Sequence, residues 1–70
     1  MECRTSNEQF SPLQIKIIEM ITEEKPNKEI AFVLNYSQRT IEYNITQLFK
    51  KMDVNTRVGI VAQAFRRKLV

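Results

Sequence analysis

Arg39, Tyr43, Thr46 and Lys50 recur at i, i+4, i+7 and i+11, and Glu42 lies beside them. On a helix that spacing gathers them on one face. The residue types suit the edges of base pairs. An arginine can bind a phosphate or the guanine O6/N7 edge, and a glutamate can accept from cytosine N4. A threonine can meet a thymine methyl or a hydrogen-bonding edge, and a tyrosine offers a ring and a hydroxyl. Arg39, Glu42, Tyr43 and Thr46 are therefore the candidates for base reading.

The element that must hold them is a helix with a second, apolar stripe. Ile41, Ile45, Leu48 and Met52 repeat the same spacing on another face. Ser37 caps this helix, and burial of its apolar stripe leaves the polar one outside. A short apolar helix, Lys28 to Leu34, precedes it, joined by Asn35 and Tyr36. A short helix, a tight turn and a longer helix with a free polar face make the helix-turn-helix pattern for the DNA major groove. The helix starts at Asn27 and Ser37 present backbone N–H groups to phosphates. Asn27, Lys28, Gln38, Thr40, Lys50 and Lys51 are the candidate phosphate contacts. An amphipathic helix with a polar outer face is also common in globular proteins. Lys50 and Lys51, likewise, suit any helix C-terminus.

The rest of the chain reads as helix too, giving an all-α domain of four helices near residues 12–23, 28–34, 38–52 and 57–67. Ser11 is a good N-cap, Pro12 fits the first helical position, and Gln14 completes a capping box. Leu13, Ile17, Met20 and Ile21 form the apolar face of the first helix, which Pro26 stops. Asn27 caps the second helix, with Ile30, Ala31, Val33 and Leu34 inward. Asn35 suits the left-handed conformation that ends it. Asp53-Val54-Asn55 breaks the third helix and Thr56 caps the fourth. Residues 1–10 are expected to be a flexible N-terminal segment and 11–70 the domain.

Composition narrows the function. A chain of 70 residues is one small domain, burying only ~60% of the surface its unfolded form exposes. Its net charge is +3, unevenly spread: residues 1–37 carry four basic and six acidic side chains, residues 38–70 seven and two. With a pI near 9.3, the basic half suits a polyanionic partner or simply a solvated surface. There is no His, a single Cys (Cys3) and a single Gly (Gly59). Zinc modules, acid–base catalysis and phosphate-cradling loops all lack their residues. No cofactor or metal is implied, and no apolar run is long enough to span a membrane. A cytoplasmic binding module is expected.

Several short runs add up to a resemblance. They are Asn27-Lys28-Glu29-Ile30-Ala31, Leu34, Ser37 with Arg39-Thr40-Ile41, Ile45, Lys50-Lys51-Met52, Val54, Arg57, Val61, Ala64 and Leu69-Val70. In order and separation, residues 11–70 resemble the LuxR/FixJ-type helix-turn-helix domain of bacterial response regulators and quorum-sensing activators. The run Arg39 to Tyr43 is similar in particular to that of a competence regulator of this family. The resemblance implies a four-helix domain whose third helix enters the major groove and whose fourth supplies a dimer contact. Where members commonly carry Lys, His, Arg and Gly, this chain has Glu42, Asn44, Leu13 and Glu24. Glu42 puts a negative charge near DNA, so binding is expected to be weaker or unusually selective.

The fourth helix has more apolar surface than one core needs. Ile60, Val61 and Ala64 form one stripe; Val58, Ala62, Phe65 and Leu69 form another, expected as the interface of a homodimer. The alternative is that both stripes pack within one chain. Arg57 is expected to serve the structure by bonding loop carbonyls or a carboxylate. With about ten residues ahead of the first helix, the expectation is a free-standing effector domain without a receiver, binding double-stranded DNA as a dimer. A rival from another class is a small inhibitor that pairs through its fourth helix with a larger LuxR-type response regulator and removes it from DNA.

Overall fold

A computed structural model describes residues 10–70. Residues 1–9, with Cys3 and most of the expected flexible segment, lie outside the described residues. Four helices follow in order: α1 (Pro12–Thr22), α2 (Asn27–Leu34), α3 (Gln38–Met52) and α4 (Arg57–Arg66). The expected elements are all present, within a residue at their ends. α2 packs on α3, while α1 packs on both α3 and α4, which also touch each other.

The core explains why these segments fold together. Ile17, Ile18, Ile21, Ile30, Ile41, Ile45, Leu48, Met52, Ile60 and Ala64 are buried in one cluster. Each large side chain among them contributes roughly 1.5–3 kcal/mol by leaving water. α3 buries its predicted stripe, Ile41, Ile45, Leu48 and Met52, without exception. α1 is rolled relative to expectation: Ile17, Ile18, Ile21 and Gln14 are buried, and Leu13 and Met20 are only half-buried. Val33 is exposed, against the expectation that it points inward. α2 has barely two turns, and Ile30 and Ala31 fill the space facing α3.

Phe10 also departs from the sequence reading. Sequence places it in the flexible segment, and the structure buries it in the core cluster. It stands immediately before the Ser11 cap, where an apolar residue staples the incoming chain to the first helical turn.

The helix starts are set by local hydrogen bonds. Ser11 and Gln14 form the predicted capping box, and Ser37 and Thr56 accept from the N–H groups of Thr40 and Gly59. Asn27, in contrast, is not a cap. Pro26 occupies the N-cap of α2 and no side chain caps it. The Asn27 carboxamide oxygen instead accepts from the Arg57 guanidinium, which also donates to the Lys25 carbonyl. Arg57 thus has the expected structural role, tying the start of α4 to the α1–α2 loop.

All four helices end alike. Glu24, Asn35, Asp53 and Lys68 have φ between 57° and 64°, and the next residue's N–H turns back to a carbonyl in the last helical turn. These bonds run from Lys25 to Met20, Tyr36 to Ala31, Val54 to Phe49 and Leu69 to Ala64. Glycine usually fills the left-handed position; here none of the four is glycine. Gly59 lies inside α4, where a Cβ would come within 2.8 Å of Val54 Cβ. Space, not backbone freedom, requires it.

Candidate nucleic-acid interface

α3 turns its polar stripe away from the core. Arg39, Glu42, Tyr43, Thr46 and Lys50 are all exposed, while the opposite stripe is buried. Tyr43 keeps 63% of its surface, so its ring and hydroxyl are both open to a partner. The path into α3 is tightly defined. Asn35 takes φ 64° and ψ 44°, Tyr36 N–H bonds to Ala31 O at 2.9 Å, and Ser37 accepts from Thr40 N–H at 3.1 Å. α2 and α3 therefore meet through one residue of left-handed backbone and one capped start.

The hydrogen bonds on α3 decide what each side chain can offer. Thr46 donates its hydroxyl to the Glu42 carbonyl at 3.0 Å, leaving its methyl and its oxygen lone pairs for a partner. Gln38 donates its amide to Glu42 Oε2 at 3.1 Å. Thr40 is half-buried, and its hydroxyl oxygen accepts from Ser37 Oγ at 2.9 Å. Arg39, Tyr43 and Lys50 form no hydrogen bond or ion pair with side chains among the described residues.

The expected phosphate contacts divide. Lys28 and Lys50 are exposed. The uncapped start of α2 leaves its first N–H groups available, with Lys28 at its second position. Lys51 does not join the outward stripe. Its ammonium donates to Gln14 Oε1 at 3.0 Å and sits 5.4 Å from the centre of the Phe10 ring. Asn27 is held by Arg57 and Gln38 by Glu42.

By sequence Gln14 is half of a capping box. It is 6% exposed and does more. Its amide nitrogen donates to Asn44 Oδ1 at 3.4 Å, and Asn44 in turn donates to the Thr40 carbonyl at 2.9 Å. Gln14 thus ties α3 to α1. No periodicity marks a lone buried amide; its polarity amid Leu13, Ile15, Ile17 and Ile18 was the available signal.

On α4, Ile60 and Ala64 are buried, whereas Val58 and Phe65 keep 77% and 60% of their surface and Ala62 is exposed. The two stripes do not both pack within the chain. Leu69, the last member of the outer stripe, is half-buried against the core. No helix among the described residues is long and apolar enough to cross a membrane.

A short helix, a left-handed elbow and a longer helix with an exposed polar stripe define a helix-turn-helix domain. The model of the luxR family of bacterial regulatory proteins matches residues 8–64, and the chain belongs to that family. Its members are DNA-binding transcription regulators, and this chain is accordingly a DNA-binding domain rather than an enzyme. It is 35% identical over 52 residues to the transcriptional regulatory protein ComA of Bacillus subtilis, covering 74% of this chain and 24% of ComA. It is 33% identical to LiaR of the same organism, over 91% of this chain and 30% of LiaR. With the uncharacterized response regulatory protein YgeK of Escherichia coli it shares 32% identity, over 89% of this chain and 42% of YgeK. The chain thus spans less than half the length of each of these relatives. No solved structure matches it.

Proposed function

We propose that this chain is a bacterial transcription regulator that reads duplex DNA through the major groove as a symmetric dimer, in the cytoplasm. Arg39, Glu42, Tyr43 and Thr46 are the base-reading residues. Lys28, Thr40 and Lys50, with the backbone at the start of α2, position the phosphates. One observation carries the reading: α3 buries Ile41, Ile45, Leu48 and Met52 completely or nearly so, and holds Arg39, Tyr43, Thr46 and Lys50 in solvent on its other side. That face has donors, acceptors, a methyl and two cations within about three turns, a length that fits one half-site.

The dimer part rests on α4. Val58, Ala62 and Phe65 are spaced to lie along one side of it, all exposed, and a twofold pairing through them would cover the apolar surface. It would also set two copies of α3 for an inverted repeat. Enrichment of a random duplex library by the purified protein, near physiological salt, tests both parts. An inverted repeat with half-sites about one helical turn apart is the expected product. Tyr43→Ala and Thr46→Ala should each remove sequence preference without changing the oligomeric state. Enrichment of nothing beyond salt-sensitive, sequence-independent binding would sink the reading.

A second reading draws on the same α4 stripe and on Glu42, an acidic side chain on an otherwise cationic face. The chain would then pair through α4 with a larger LuxR-type regulator and keep it from DNA. In that case Phe65→Asp should abolish inhibition, and Tyr43→Ala and Thr46→Ala should leave it intact.

A further inference from the structure

The carboxylate of Glu42 raises a specific question. Every phosphate near a groove-bound helix repels it, and it forms no ion pair among the described residues. A free glutamate in that position would swing away from the groove floor. It is not free: Gln38, the first residue of α3, donates its side-chain amide to Glu42 Oε2 at 3.1 Å across one helical turn. The two residues lie on the flank of α3 nearest its N-terminus, the end that enters deepest in helix-turn-helix docking.

We infer that Gln38 is a positioning residue that holds Glu42 as a cytosine selector at one base pair of the half-site. This rests on the DNA-reading assignment above. The carboxylate can only accept, so in the major groove it can be satisfied only by the exocyclic amines of cytosine N4 or adenine N6. Adenine places its N7 acceptor beside N6, and guanine offers only acceptors; both set lone pairs against the carboxylate. Thymine offers an acceptor and a methyl. In its base pair adenine N6 has an acceptor on both sides, its own N7 and thymine O4, whereas cytosine N4 has one, guanine O6, on one side only. The Gln38 amide restrains the carboxylate, so less side-chain freedom is lost on contact. Its second N–H and its carbonyl stay available for the neighbouring base or phosphate. The assignment replaces the sequence expectation of Gln38 as a phosphate contact. It also gives the glutamate's unfavourable charge a purpose, since weaker attraction to every sequence sharpens the preference for one.

The test is duplex-library enrichment with wild type, Glu42→Gln, Gln38→Ala and Gln38→Lys, followed by affinities for duplexes differing at the selected cytosine. Both side chains are exposed, and equal melting temperatures would establish that the variants are folded. Wild type should prefer cytosine at one position per half-site by roughly five- to a hundredfold. Glu42→Gln should erase that preference and bind all duplexes more tightly, because a negative charge has gone. Gln38→Ala should weaken the same preference several-fold and leave the other positions unchanged. Gln38→Lys, which restores a donor four residues before Glu42, should recover it. A defined operator whose base preferences are indifferent to Glu42→Gln and Gln38→Ala would overturn this inference while leaving DNA reading in place. Failure of wild type to enrich any sequence would remove both.

Discussion

Lys51 and Gln14 stand 37 residues apart in the chain, yet the Lys51 ammonium donates to Gln14 Oε1 at 3.0 Å. The same oxygen accepts from the Ser11 backbone N–H, and the amide nitrogen reaches Asn44. One buried carboxamide thus closes the cap of α1 and fixes the back of α3. Replacing it takes a hydrogen bond from the Ser11 N–H, from Asn44 Oδ1 and from Lys51. Gln14→Ala should lower stability by about 1–3 kcal/mol, the usual cost of stranding partly buried polar groups. Urea denaturation at neutral pH checks this; a midpoint equal to wild type would show that water replaces the amide without loss.

Arg57 should be equally sensitive for a different reason. Its guanidinium serves the Lys25 carbonyl and the Asn27 side chain together, and a lysine ammonium lacks the planar fork for both. Arg57→Lys is therefore expected to destabilise nearly as much as Arg57→Ala, about 1–2 kcal/mol. Thermal unfolding of the two variants decides it.

Gly59→Ala should destabilise, although alanine is the better helix former by about 1 kcal/mol. The added Cβ would meet Val54 Cβ at 2.8 Å and Val54 Cγ1 at 3.2 Å. Val54 Cβ cannot swing aside as a side-chain tip can, so the loop before α4 must shift, at about 1–3 kcal/mol. The double variant Gly59→Ala, Val54→Gly, which removes that Cβ, should lose less than the two single variants together. Chemical denaturation of the single and double variants reads both effects.

Glu24→Gly should stabilise. Glu24 holds φ 64° at the end of α1, a conformation that costs a side-chain-bearing residue roughly 1–2 kcal/mol and glycine almost nothing. Part of the gain is offset because glycine makes the unfolded chain more flexible. The net expectation is a rise of about 0.5–1 kcal/mol, read from the denaturation midpoint. No gain, or a loss, would mean that the Glu24 side chain contributes as much as its backbone costs.

The parts legible in sequence are those written in local pattern. The buried stripe of α3, the caps Ser11, Ser37 and Thr56, and the left-handed Asn35 all follow from residue type and spacing, and so does the exposure of Arg39, Tyr43 and Thr46. What escaped depends on contacts between distant segments. Asn27 is a good cap by type, but Arg57, 30 residues on, engages its side chain. α1 is so rich in isoleucine that its pattern permits more than one roll, and the choice falls to Gln14 meeting Asn44. Lys51 looked like a second Lys50, yet one position further along a helix is a rotation of about 100°. That step carries it from the outward face to the α1 side.

The ends of the helices have a consequence for recognition. Each turn is held in the left-handed conformation, which its side chain disfavours, by a hydrogen bond into the preceding helix. Where glycine would make a hinge, Asn35 makes a rigid joint between α2 and α3. A reading head mounted this way arrives at its target already shaped, so little ordering remains to be done on contact. A domain with little give leaves any bending to the duplex, so the deformability of the target adds to the base contacts proposed for α3.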